Sequence, residues 1–120
     1  MKAVGVALLL LASSSSPYVI DGDTLAFGRE RVRIANLDAP DVGSHAHCDL
    51  EQRRGEAARA FARSVIRRAS VVQVVDRQGL DRYGRTLARV LVDNDDFGRV
   101  MVAAGHGRPW RGRSSDWCRE

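Results

Sequence analysis

The order of the predicted strands and helices is the feature that most constrains the fold of this chain. Three β-rich stretches come before one long amphipathic helix, two come after it, and a second helix follows them. The stretches are Tyr18–Ile20, Thr24–Phe27, Arg31–Leu37, Val71–Val75 and Arg85–Val92. Three strands, a helix, two strands and a helix suit a small Greek-key barrel of the OB type. We therefore predict a β-rich α+β fold, a five-stranded OB-fold barrel with two or three helices.

Local patterns support this order. Residues 31–37 alternate apolar and polar side chains with period two, which is typical of a half-buried strand. We expect this strand to form a hairpin with residues 24–27 across a turn at Gly28. Asp93 to Asp96 predicts a turn that leads into the second helix, which Gly105 ends.

The long helix is predicted over residues 49–69. Asp49 is the expected N-cap, with Gln52 three residues further on. Its apolar side chains recur at spacings of four and seven, and we expect that stripe to face the core. The stripe consists of Leu50, Ala57, Phe61, Val65 and Ala69.

Length and charge limit the function classes only broadly. The chain has 120 residues, enough for one domain, and a formal net charge of +4. Of its 19 basic residues all except Lys2 are arginine, which forms bidentate contacts with phosphate. A genome that favours arginine codons explains this composition equally well, so charge alone is weak evidence for nucleic-acid binding.

The first 16 residues predict an export signal. Lys2 precedes an apolar run from Ala3 to Ala12, and the small residues 13–16 follow. The run is too short to span a bilayer. Cleavage after Ser16 would leave a domain of residues 17–120, and cleavage after Ala12 is the other possible position. The alternative to an export signal is that this apolar run forms a buried first strand. We expect an exported protein, periplasmic or secreted, that is monomeric and has no stable membrane span.

The chain has two cysteines, Cys48 and Cys118. In an exported protein an even number of cysteines indicates a disulfide. That bridge would close a loop of about 70 residues and, in the chain-entropy model, stabilise the fold by roughly 4 kcal/mol. Two free buried thiols are the alternative.

Three aspartates could form one acidic site. Asp21 and Asp23 flank Gly22, and residues two apart on an extended segment point the same way. Asp38 lies where the following hairpin ends. If the barrel brings these positions together, their like charges need a cation, and oxygen ligands suit Ca²⁺ or Mg²⁺. Each aspartate taken singly is better explained as an ordinary turn residue, and only the ordered set indicates a site.

Two arginines are candidate phosphate ligands beside this site. Arg33 lies on the strand that precedes Asp38, and Arg85 ends the segment Asp81-Arg82-Tyr83-Gly84-Arg85. Phosphoryl transfer requires charge neutralisation on the phosphate oxygens, which a fork of guanidinium donors supplies.

Three motifs in order resemble the staphylococcal-nuclease-like (thermonuclease) family. Residues 21–24 match its D-G-D-T, residues 33–41 match its R-x4-D-x-P-E, and residues 81–85 match its D-[RK]-Y-G-R. The resemblance covers residues 18–110. It implies an OB-fold barrel and a Ca²⁺-dependent phosphodiesterase that acts on DNA and RNA, with Mg²⁺ the less favoured ion.

The resemblance also implies roles for individual residues. Asp23 and Asp38 would ligate the metal, with the backbone carbonyl of Ala39 as a further ligand and Asp21 acting through water. Arg33 and Arg85 would hold the scissile phosphate. Cleavage of the 5′ P–O bond would leave 3′-phosphate ends.

The glutamate that activates water in this family is replaced here by Asp41. An aspartate is one methylene shorter, roughly 1.5 Å of reach, and a misplacement of about 1 Å can cost on the order of 100-fold in rate. The hypotheses are therefore a nuclease that uses Asp41, and a catalytically weak or inactive module that binds nucleic acid. A structural envelope protein with relic motifs is a further alternative.

Aromatic side chains could contact the bases of a single-stranded DNA or RNA substrate. Tyr83, beside Arg82, is a candidate for stacking on a base or bonding to a phosphate, and anchoring of its loop is the alternative. Trp110 could line the nucleotide groove or cap the end of the barrel. Trp117, next to Cys118, is expected to pack around the disulfide.

Overall fold

The computed structural model of this chain describes residues 16–119. The expected export signal, residues 1–16, lies outside the described part except for Ser16. Within residues 16–119, no helix has the length and apolar character needed to cross a membrane.

The elements follow the predicted order. The strands are β1 (Tyr18–Asp21), β2 (Thr24–Phe27), β3 (Glu30–Ile34), β4 (Leu37–Asp38), β5 (Val72–Val75), β6 (Thr86–Val92), β7 (Asp95–Asp96) and β8 (Arg108–Pro109). The α-helices are α1 (Asp49–Arg68) and α2 (Phe97–Ala103), and a 3₁₀ turn spans Gly43–His45. The connection between β4 and α1 therefore contains one helical turn.

The strands form one curled mixed sheet in the order β1-β2-β3-β6-β5. Neighbours pair antiparallel except β3 and β6, which are parallel. β7 adds to β6, and β4 and β8 form a separate small ladder. A five-stranded half-barrel with two α-helices confirms the predicted OB-type α+β fold.

Two strand pairings position the candidate residues. The predicted hairpin of β2 and β3 is confirmed, with Thr24 opposite Arg33 and Gly28 at a φ of +63° in its turn. Parallel pairing places Val32 of β3 beside Thr86 of β6. Since Arg85 immediately precedes Thr86, this register brings the 81–85 loop to the same end of the sheet as Arg33.

The expected core face of α1 was wrong by one position. The buried residues of the helix are Glu51, Gly55, Ala58, Ala62 and Ile66. Small side chains let the helix backbone lie close to β1, so the larger ones fall on its flanks. Phe61, Val65 and Ala69 are only partly buried against the core, and Ala57 is exposed.

The helix ends also refine the predictions. Cys48 rather than Asp49 is the N-cap of α1, and its Sγ accepts the Glu51 N–H at 3.3 Å. In α2, Phe97 and Met101 are buried, whereas Ala104 follows the helix and is exposed. Gly105 has a φ of +82°, as expected for a residue that ends a helix.

The predicted disulfide is confirmed. Cys48 and Cys118 are bonded, with their Cα atoms 6.0 Å apart, and no cysteine in the described residues is free. Trp117 beside the bridge is buried, with 7% of its surface exposed. The bridge joins the N-terminus of α1 to the end of the chain.

The face of α1 can be tested by paired substitutions. Ala62→Leu inserts methyl groups into the fully buried contact between α1 and the sheet, so we expect a loss of about 1–3 kcal/mol in unfolding free energy. Ala57→Leu, on the exposed side, should change it by less than about 0.5 kcal/mol. Urea unfolding measures both, and equal losses would contradict the observed helix face.

Candidate active site

The turn between β1 and β2 carries the first acidic pair. Asp21 Oδ1 accepts the Asp23 N–H at 3.2 Å, which closes the turn around Gly22. A Cβ atom at Gly22 would lie 2.9 Å from Ala39 Cβ and 3.1 Å from Ala58 Cβ. Glycine is therefore required because the turn packs directly against the 38–41 segment and α1.

The buried carboxylate of Asp23 joins the two acidic segments. Its Oδ2 accepts the Ala39 N–H at 3.0 Å, and its Oδ1 accepts the Thr24 hydroxyl at 3.3 Å. Asp38, the residue before Ala39, is also buried, with 3% of its surface exposed. The structure thus brings the predicted metal ligands Asp23, Asp38 and Ala39 into one small region.

Burial and charge repulsion change the acidity of these groups. Burial raises the pKa of Asp23 to about 7; the Arg33 guanidinium opposes this rise and the charge of Asp21 adds to it. Burial also raises the pKa of Asp41 to about 6, and the charge of Asp23 contributes. Asp21, Asp23 and Asp41 therefore share a crowded negative environment.

This donor set fits a hard divalent cation in its chemistry. Carboxylate and carbonyl oxygens are the ligands that Ca²⁺ prefers, and a cation would stabilise the ionised form of Asp23 and Asp41, which burial and, to a smaller extent, charge repulsion disfavour. Within residues 16–119, however, no three His, Cys, Asp or Glu side chains are already arranged as a metal cluster. The four aspartates line one cleft, but their side chains do not define a coordination geometry.

Arg33 is held between these acids and the backbone. Its Nη1 donates to the carbonyl oxygens of Ile34 and Leu37 at 2.6 and 2.8 Å, and its Nη2 lies 3.5 Å from Asp23 Oδ2. The guanidinium also lies over the Trp110 ring, 5.6 Å from the centroid. These contacts fix its planar head beside the acidic cluster.

Asp81 organises the loop that carries Arg85. Asp81 Oδ1 accepts the backbone N–H groups of Tyr83 and Arg85, both at 2.9 Å, and Oδ2 accepts Arg85 Nε at 2.7 Å. These bonds lower the pKa of the Asp81 carboxyl, although its burial opposes them. Arg85 binds Asp81 through Nε, and its side chain stays about one quarter exposed. The sequence motif alone gives Asp81 no role separate from that of Arg85.

One cleft of about 820 Å³ contains nearly all the predicted site residues. Tyr83 and Trp110 line it with 61% and 40% of their surfaces exposed, and guanidinium groups lie over both rings, Arg82 and Arg85 over Tyr83 and Arg33 over Trp110. Arg82 also lines it, and its Nη2 donates to the Tyr83 hydroxyl at 2.9 Å. The other predicted residues in its lining are Asp21, Asp23, Arg33, Asp38, Asp41 and Arg85.

Glu51 is a buried residue whose role our sequence reasoning missed. Its Oε2 accepts the Asp41 N–H at 3.0 Å, and its Oε1 accepts the backbone N–H and ring Nδ1 of His47 at 2.9 and 2.8 Å. Despite burial, these hydrogen bonds keep the pKa of Glu51 below its usual value. Glu51 therefore fixes the backbone of Asp41 against α1.

Comparison with known proteins relates this cleft to a family. The staphylococcal nuclease homologue family matches residues 31–116 of the chain. The thermonuclease of Staphylococcus intermedius is 33% identical over 94 residues, which make up 75% of this chain and 55% of that protein. The chain thus spans little more than half the length of this relative.

Gly55→Ala tests the contact between α1 and the Asp41 loop. A Cβ at Gly55 would meet the Asp41 carbonyl group, with its carbon at 2.7 Å, so the loop must shift. Alanine normally stabilises a helix interior by about 1 kcal/mol relative to glycine. Here we expect a loss of at least about 1 kcal/mol in urea unfolding, and a gain in stability would contradict the contact.

The raised pKa of Asp23 predicts a pH dependence of stability in the presence of chelator. The folded state holds this proton up to about pH 7, whereas the unfolded state loses it near pH 4. The stabilisation is therefore present below about pH 4 and lost as pH rises through 7.

Comparison with Asp23→Asn isolates this group from other titrations. The unfolding free energy of wild type minus that of the variant should fall by roughly 1–4 kcal/mol between pH 4 and pH 8. Urea unfolding at several pH values measures this difference. If the difference stays constant or rises with pH, folding does not raise the pKa of Asp23.

Proposed function

Because this chain belongs to the staphylococcal nuclease homologue family, we propose that it is a Ca²⁺-dependent nuclease that hydrolyses phosphodiester bonds of DNA and RNA. The observation that carries the proposal is a single cleft lined by both the buried acids Asp23 and Asp38 and the arginines Arg33 and Arg85. Carboxylates would ligate a cation, and the guanidinium groups would bind the phosphate that this cation also contacts.

The metal ligands would be the carboxylates of Asp23 and Asp38 and the carbonyl of Ala39, with Asp21 acting through water. When bound, Ca²⁺ supplies positive charge beside the scissile phosphate. Ca²⁺ is favoured over Mg²⁺ because it tolerates irregular oxygen ligand sets, whereas Mg²⁺ demands near-ideal octahedral geometry.

Arg33 and Arg85 would bind the phosphate oxygens and stabilise the charge that builds up on them during attack. Each arginine is oriented in advance, Arg33 by the carbonyl groups of Ile34 and Leu37 and Arg85 by Asp81. Donors that are fixed before the reaction need no reorganisation when charge develops, which makes them effective. Arg85 uses only Nε for Asp81, so its terminal nitrogens remain for substrate.

Asp41 would accept a proton from the attacking water. The water oxygen would bond to phosphorus as the bond from phosphorus to the 5′ oxygen breaks. That oxygen would take a proton from solvent water and leave as a hydroxyl, and Asp41 would return its proton to solvent. The products carry 3′-phosphate and 5′-hydroxyl ends. Without the cation, burial raises the pKa of Asp41 to about 6, and a bound cation would lower it, so the carboxylate is mostly ionised at neutral pH and able to accept a proton.

Tyr83, Arg82 and Trp110 would contact the nucleotides beside the scissile bond. The exposed parts of the two rings, together with the arginines that lie over them, would stack on the unpaired bases of a single strand. Contacts to phosphates and ring faces carry little sequence information, so we propose low sequence specificity. We also propose that the protein is exported and monomeric; the disulfide supports an oxidising compartment.

A second candidate function is a catalytically weak module that binds nucleic acid. Asp41 is shorter than the glutamate expected in the family, and Glu51 pins its backbone N–H at 3.0 Å. The loop is therefore restricted in moving toward the cleft to make up the lost reach. This restriction would slow catalysis. It would not abolish it, because the Asp41 carboxylate still lines the cleft.

Cleavage of single-stranded DNA tests the proposed function. Wild type should cleave with Ca²⁺ and not with chelator, and Arg85→Ala should reduce the rate by roughly 100- to 1,000-fold because a phosphate ligand is lost. Arg67→Ala, on an exposed part of α1, is the matched control and should keep the wild-type rate.

Asp41→Glu separates the two candidates. If the site is only mis-spaced, restored reach should raise the rate by roughly 10-fold or more. A folded wild type that binds Ca²⁺ but does not cleave, together with no gain from Asp41→Glu, would instead support the binding module.

A further inference from the structure

The segment after β8, residues 110–119, returns to the N-terminus of α1 and is fixed there. We call it the tail segment. The Cys48–Cys118 disulfide holds it covalently, and Arg54 Nη1 donates to the carbonyl oxygens of Trp117 and Arg119 at 2.9 and 2.8 Å. Two kinds of bond thus hold the same few residues against one helix.

Trp117 provides a third anchor. Only 7% of its surface is exposed, although most of its tail neighbours are exposed. The Arg108 guanidinium lies over its ring, 4.4 Å from the centroid. The position of the tail segment is therefore strongly determined even though it contains no helix.

The tail segment reaches the candidate metal ligand Asp38 through its backbone. The Ser115 N–H donates to Asp38 Oδ2 at 2.7 Å, across 77 residues of sequence. In the part of the chain that the structure describes, no other hydrogen bond to the Asp38 carboxylate is found. The orientation of this buried carboxylate thus depends on a donor from the end of the chain.

We propose that the tail segment is a positioning element for Asp38, held in place by the Cys48–Cys118 disulfide. A bond from N–H to a carboxylate is stronger than a neutral one, and it occupies one oxygen while the other remains for a cation. Carboxylates that ligate metals generally accept such supporting bonds, and their loss typically weakens metal affinity. The part of this inference that concerns Ca²⁺ rests on the proposed function.

The same disulfide also touches the support of Asp41. Cys48 Sγ accepts the Glu51 N–H at 3.3 Å, and Glu51 in turn accepts the Asp41 N–H. One covalent link therefore lies next to the supports of both acids. Reduction by a dithiol would open it: two electrons and two protons pass to Cys48 and Cys118, and the dithiol becomes a disulfide.

Three variants separate the backbone donor from the side chain and from the disulfide. Ser115→Pro removes the N–H, Ser115→Ala removes only the hydroxyl, and Cys48→Ser combined with Cys118→Ser removes the link while keeping an oxygen that can cap α1. Each is compared with oxidised wild type by Ca²⁺ titration calorimetry and by hydrogen exchange of the Ser115 amide where that amide exists.

We expect Ser115→Pro and the double cysteine variant to bind Ca²⁺ about 10- to 100-fold more weakly, with Ser115→Ala within about twofold of wild type. The Ser115 amide should exchange at least about 10-fold faster in the double variant and in dithiol-reduced wild type. Reoxidation of the reduced wild type should restore its Ca²⁺ affinity and its slow Ser115 exchange. Circular dichroism tests whether each variant folds.

Unchanged Ca²⁺ affinity in a folded Ser115→Pro would overturn the positioning role, as would unchanged Ser115 exchange in the double variant. If Ser115→Pro does not fold, Arg54→Met loosens the tail segment instead and should weaken Ca²⁺ binding and accelerate Ser115 exchange. If oxidised wild type binds no Ca²⁺, the proposed function fails, and exchange of the Ser115 amide alone decides whether the disulfide fixes the tail segment.

Discussion

A buried carboxylate holds the two acidic segments of this protein together. Asp23 accepts the Ala39 N–H from inside the fold, and the absence of a side chain at Gly22 lets the turn approach closely enough. Burying an ionised acid is costly, which is visible in the raised pKa of Asp23. Arg33 reduces that cost from one side, and a bound cation would reduce it further. The energetics of the fold and the chemistry of the cleft are therefore coupled.

The sheet supplies the second half of the arrangement. Parallel pairing of β3 with β6 sets Arg33 and the Arg85 loop at one end of the half-barrel. Asp81 then shapes that loop by accepting three bonds from it, one of them from the Arg85 side chain. Long-range strand pairing brings the two arginines to one cleft, and local hydrogen bonds orient them.

Much of this architecture could be predicted from the sequence, and the exceptions have physical reasons. The hairpin and the motif residues were predictable because alternation and turn chemistry are local. The buried face of α1 was misplaced because Ala58 and Ala62 carry a weak hydrophobic signal. Glu51 was missed because a glutamate in an arginine-rich helix resembles a solvated one. Ser115 acts through its backbone N–H, which no residue type reveals.

We propose that the acids of the cleft bind one hard cation beside the two arginines. A crystal structure of the oxidised protein with Ca²⁺ and a phosphorothioate dinucleotide, recorded with anomalous scattering, tests this most directly. We expect a calcium peak in contact with Asp23, Asp38 and the Ala39 carbonyl, and a phosphorothioate group in contact with Arg33 and Arg85. A calcium peak elsewhere, or a dinucleotide bound away from both arginines, would contradict it.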